Sequence, residues 1–98
     1  DINSVDDPIL KKYATLFMEA VGYFKEENYV KIIEILESIK GVFNRKIDNF
    51  KIQLLLGYAY FKIDNYKLAR ENWLKALEYN PDNKDIKSYL DMIDEIAI

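Results

Sequence analysis

The chain has 98 residues, half of them hydrophobic, with three glycines, two prolines and neither cysteine nor histidine. That composition excludes a disulfide frame, thiol nucleophiles and imidazole chemistry, and the scarcity of breakers favours a compact helical chain over disorder or a turn-rich β fold. The net charge of −3 comes from lysines and acids interspersed along the sequence, so the concentrated positive footprint that a phosphate backbone needs is missing, and no apolar run approaches the roughly 18 residues of a membrane helix.

Residues 1–6 are polar and unpatterned, and read as a frayed lead-in. The start at Asp1 without a methionine is expected of a processed product or a piece of something longer. Asp7 and Pro8 then supply a cap and a first-turn proline, and the spacing of Ile9, Tyr13, Leu16, Phe17, Ala20 and Phe24 predicts a helix over 8–26. Asn28 separates it from a second helix over 29–40, in which Val30, Ile32, Ile33, Leu36 and Ile39 recur at helical spacing and Gly41 is the stop.

A connector over 42–49 leads to the most apolar stretch, 50–63. Ile52, Leu54, Leu55, Leu56, Tyr58, Tyr60 and Phe61 surround that helix, so it must be central. Asp64 and Asn65 turn the chain into a fourth helix over 66–79, which Asn80 and Pro81 end. Asp82 or Asn83 caps a last helix over 83–97, with Ile86, Tyr89, Leu90, Ile93 and Ile96 facing inward.

The chain repeats itself. Aligning YFKEENYVKIIEILESI with YFKIDNYKLARENWLKAL superposes Tyr23 on Tyr60, Phe24 on Phe61, Lys25 on Lys62, Asn28 on Asn65 and Tyr29 on Tyr66, a period of 37 residues. The second copy carries Leu56, Gly57, Tyr60, Ala69, Trp73, Ala76 and Pro81 at the spacings of the tetratricopeptide repeat family, with Gln53 for its first tryptophan, and resembles that family. The first copy keeps Ala20, Tyr23 and Leu36 but has Leu16, Glu19, Ile32 and Asn44 at other family positions.

The resemblance implies an all-α, right-handed α-solenoid of five helices. It divides the chain into a first hairpin over 8–41, a connector over 42–49, a second hairpin over 50–81 and a capping helix over 83–97. Asp91 and Asp94 stand in that cap where a continuing repeat wants a small residue and an aromatic one. Two repeats fall short of the three or so usually needed for stability, so the end helices contribute more than usual, or a weak dimer or a partner completes the array.

In this family the first helix of each hairpin lines a concave groove. Carried over residue by residue, the groove shows Phe17, Val21 and Phe24, then Lys51, Leu54, Tyr58, Phe61 and Lys62, then Tyr89 and Met92. Such a surface suits an amphipathic helix or an extended apolar peptide of a protein partner, with Tyr58, Phe61 and Tyr89 as anchors. The same residues alternatively close into a core. Only Lys51 falls in a slot of the carboxylate clamp found in the chaperone-binding members, so that subset does not fit. No catalytic residue, cofactor or metal site is expected. The acid pairs Glu26 with Glu27 and Asp94 with Glu95 sit at a turn or on a solvated face, and Asp82, Asn83 and Asp85 suit capping.

A narrower resemblance lies in QLLLGYAYFKIDNYKLARENWLKALEYNP together with the long connector before it. These are similar to the lipoprotein family that forms the tetratricopeptide D subunit of the bacterial outer-membrane β-barrel assembly machinery. That family implies a lipid anchor on a cysteine upstream of Asp1, a place on the periplasmic face of the outer membrane, and docking to the barrel-forming subunit. A cytosolic adaptor and a regulatory domain of a larger enzyme stay open as the other classes.

Overall fold

The computed structural model describes residues 7–96. The lead-in over 1–6, the expected end of the last helix at 97 and any anchor upstream lie outside the described residues. Five helices follow in order: α1 (Pro8–Lys25), α2 (Tyr29–Ile39), α3 (Lys46–Lys62), α4 (Tyr66–Tyr79) and α5 (Lys84–Ile96). Successive helices pack on one another, most closely α3 on α4, in a slab with extents of 47 × 30 × 18 Å.

Local chemistry sets most of the helix ends. Asp7 Oδ1 accepts from the backbone amides of Ile9 at 2.9 Å and Leu10 at 3.4 Å, and Pro8 occupies the first turn, so α1 starts where a free-amide cap and a preset φ coincide. Asn83 caps α5 by accepting from the Ile86 amide at 2.9 Å. The two hairpin turns are copies of each other. Glu27 and Asp64, 37 positions apart, take φ of 55° and 63°, and the next residue's amide in each turn donates back to Tyr23 or Tyr60. Asn28 and Asn65 then cap α2 and α4 by accepting from the Lys31 and Leu68 amides, both at 3.2 Å.

The helix expected from residue 50 begins one turn earlier, at Lys46, which shortens the connector expected over 42–49. No side chain caps it. Instead the Arg45 guanidinium grips Asp48 through two hydrogen bonds of 2.8 and 3.0 Å, and Asn49 Nδ2 donates to the Phe43 carbonyl at 2.8 Å. The hydrogen bond from Arg45 holds the Asp48 carboxyl below its ordinary range, against the opposing effect of burial. That charge sits in the first turn of α3, where unpaired amides favour an anion.

The core runs between the hairpins. Ile32, Ile35, Leu36 and Ile39 of α2 meet Phe50, Ile52, Leu56, Ala59 and Tyr60 of α3, while Ala69, Trp73 and Ala76 of α4 close the second hairpin and Ile86, Leu90 and Ile93 of α5 seal its far side. Ile96, expected inside, is exposed. Trp73 is the largest fully buried side chain; its indole lies over Gly57, where a Cβ would overlap the ring, and its Nε1 donates to the Leu54 carbonyl at 3.1 Å. The first hairpin has Ala20 and Leu36, both fully buried, at the same two repeat positions.

One polar contact ties α2 to α3. The Tyr60 hydroxyl donates to Glu37 Oε2 at 2.7 Å, and Lys40 Nζ lies 2.6 Å from Oε1. Burial, reinforced by Glu37, pushes the Tyr60 hydroxyl far above its ordinary value. Burial also opposes ionisation of Glu37, but the hydrogen bonds from Lys40 and Tyr60 outweigh it, so the Glu37 carboxyl lies below its ordinary value of 4.5. A depressed folded pKa stabilises fully above the unfolded value and is lost as pH falls through the folded one. The thermal midpoint of the wild-type chain is therefore expected to fall more steeply than that of Glu37→Gln as pH drops below 4.5. The difference amounts to less than about 1 kcal/mol, since solvent screens a carboxylate that is partly exposed.

Candidate functional site

The first helices α1 and α3, and the final helix α5, present the same register. Val21, Tyr58 and Met92 lie at matching positions, 37 and 34 residues apart, and are 37%, 39% and 37% exposed. Three apolar side chains on three helices are thus held half out of the core. One turn further along, Lys25 and Lys62 occupy matching exposed positions on α1 and α3.

Tyr58, the middle member of this row, lines a cleft of about 230 Å³ together with Phe24, Leu54, Leu55, Trp73 and Tyr89. Its walls are aromatic pairs. Phe24 and Tyr58 have ring centroids 5.8 Å apart, Trp73 and Tyr89 lie 5.0 Å apart, and Lys62 Nζ sits 5.4 Å from the Tyr58 centroid. Each pair belongs to two helices, so the cleft is where α1, α3, α4 and α5 meet.

Of the ten residues expected in the groove, four line this cleft: Phe24, Leu54, Tyr58 and Tyr89. Val21 and Met92 continue the exposed row beside it, and Lys62 reaches over its rim. Phe17 instead joins Ala14, Met18, Phe43 and Ile52 in a separate cleft of about 260 Å³, edged by the Arg45–Asp48 pair. Phe61 is half-buried and packs against the second hairpin, 5.4 Å from Tyr66 and 5.9 Å from Trp73. Lys51 is exposed and close enough to Asp48 to help keep that carboxylate charged.

Leu55 and Trp73 line the cleft without having been expected there. Trp73 had a signal: its pairing with Gly57 at the repeat spacing brings a large ring close to the α3 backbone beside Leu54.

None of the six lining side chains is an acid, an amide or a base, and the volume lies below the roughly 300–1,000 Å³ of small-molecule sites. An aromatic recess of that size has room for one bulky apolar side chain. Among the described residues no three acids gather as a metal site, and no helix is long and apolar enough to cross a membrane.

Comparison with known proteins fits this geometry. Residues 50–83 match the family model for the tetratricopeptide repeat. The segment is a tetratricopeptide repeat. Across α3 and α4 it holds Gly57, Tyr60, Trp73 and Ala76, the residues that close the second hairpin. The chain is also 38% identical over 73 residues to the outer membrane protein assembly factor BamD of Buchnera aphidicola subsp. Acyrthosiphon pisum. The match covers 74% of this chain but 30% of that protein, so the chain spans about a third of its relative's length. No solved structure matches. The repeat and the five helices make this an all-α, tetratricopeptide-like solenoid, the architecture of a protein-interaction scaffold.

Exposure separates the aromatic residues by role. Tyr58→Ala and Met92→Ala are expected to cost about 1 kcal/mol or less, because more than a third of each side chain meets water, whereas Phe61→Ala costs about 2 kcal/mol, since this less exposed ring packs against Trp73 and Tyr66. Urea denaturation of the three variants checks the order.

Proposed function

We propose that this chain is a non-catalytic scaffold of bacterial outer-membrane protein assembly, which holds an apolar helix or extended peptide of the barrel-forming subunit against the row Val21, Tyr58 and Met92. The observation that carries the reading is the open aromatic cleft lined by Tyr58 of that row, with Phe24, Leu54 and Tyr89 in its walls. Clustered aromatic recesses are where interface energy concentrates. The relative named as an outer membrane protein assembly factor supplies the choice of machinery. The periplasmic face of the outer membrane is the corresponding location.

The test is affinity capture from detergent-solubilised bacterial envelopes, with the chain as bait and a Val21→Asp/Tyr58→Asp variant beside it. The expected result is recovery of the barrel-forming subunit by the wild-type chain and its loss with the variant, whose thermal midpoint stays within a few degrees because both positions are partly exposed. Recovery of soluble cytosolic proteins alone overturns the assembly role.

A further inference from the structure

We infer that the aromatic cleft selects an acidic amphipathic helix, with one bulky apolar side chain between Phe24, Tyr58 and Tyr89 and a carboxylate side chain one turn away against Lys25 and Lys62. The inference rests on reading the cleft as a partner groove and adds the chemistry of that partner.

The cleft, at about 230 Å³, has room for a single large side chain, so affinity beyond that anchor has to come from its rim. Lys62 stands on one edge of the rim, its Nζ 5.4 Å from the Tyr58 centroid. Lys25 and Lys62 recur 37 residues apart, each one turn beyond the exposed row. Five of the fourteen cations, Lys31, Lys40, Lys75, Arg45 and Arg70, pair with acids among the described residues; Lys25 and Lys62 are two of the nine that do not, and Lys62 is singled out by its place over the Tyr58 ring. Of the acids in the neighbouring turns, Asp64 accepts a hydrogen bond from the Tyr66 hydroxyl at 3.0 Å, while Glu26 and Glu27 are exposed beyond the end of α1.

Lysines complement the negative end of a helix, which accounts for their presence in the last turn. It does not account for Lys62 Nζ lying over the exposed Tyr58 ring beside an apolar void. Tyr58 and Lys62 are four residues apart on α3, neighbours on one helix face. A partner helix carrying an apolar residue and an acid three or four positions apart presents the two matching groups about 5–6 Å apart.

The test is selection from a displayed library of random peptides about 16 residues long, enough for helix formation, embedded so that neither terminus is free. Enriched sequences are expected to carry Leu, Ile, Phe or Met with Asp or Glu three or four positions away. A terminally blocked peptide made from them should bind roughly tenfold more weakly after Glu→Lys, because like charges then meet at the rim. A Lys25→Glu/Lys62→Glu variant with an unchanged melting temperature should restore that binding. Enrichment of apolar peptides without acids overturns the inference and leaves the groove standing, as does indifference to the lysine reversals. Failure to enrich any peptide removes both.

Discussion

The fold depends on one close approach. Trp73 of α4 lies over Gly57 of α3, and a single missing Cβ lets the two helices come near enough for the indole to be almost fully buried while its Nε1 reaches the Leu54 carbonyl. Phe61 packs on one part of the ring and Tyr89 on another, so α5 is positioned by the same side chain that closes the hairpin. The cleft follows from this arrangement. Trp73 and Tyr89 form one side of it, and Phe24 and Tyr58 another.

Repetition explains why the exposed row exists. A residue that faces the groove on one first helix has a counterpart one period later, and three such counterparts stay partly exposed because neighbouring helices shield each from one side only. The first hairpin carries a weaker version of the lock, with Ala20 and Leu36 at the positions of Gly57 and Trp73. With alanine and leucine at these positions, no indole sits against a helix backbone in the first hairpin, which packs through Ala20 and Leu36 instead. The tie between Tyr60 and Glu37 then fastens the stronger hairpin to the weaker one.

Features set by near neighbours were legible in the sequence. The caps at Asp7 and Asn83 and the turn at Asp64 and Asn65 each act over two to five residues, which is the range that spacing reports; that Asn28 and Asn65 also cap the helices after them was not read. The start of α3 was not legible, because the bond from Asn49 to the Phe43 carbonyl and the grip of Arg45 on Asp48 replace the cap that normally marks a helix end. Helical periodicity also assigns a residue to a face without saying how far away the next helix lies. Phe61 and Tyr58 both read as groove residues, yet Phe61 is half-buried against Trp73 while Tyr58 is 39% exposed and lines the cleft. Ile96 reads as inward-facing, yet it stays exposed near the end of α5.

The most direct test compares the unfolding free energies of Gly57→Ala and Gly22→Ala with that of the wild-type chain. Both glycines lie inside helices, where alanine is ordinarily better by roughly 0.8–1 kcal/mol. A Cβ at Gly22 meets nothing within 4 Å, so Gly22→Ala should gain about that amount, whereas Gly57→Ala should lose about 1–3 kcal/mol by pushing the indole out of its seat. Opposite signs at the two positions are the expected result. Stabilisation at both would contradict the account, because the close approach of Trp73 to Gly57 would then not be what holds the second hairpin and its cleft together.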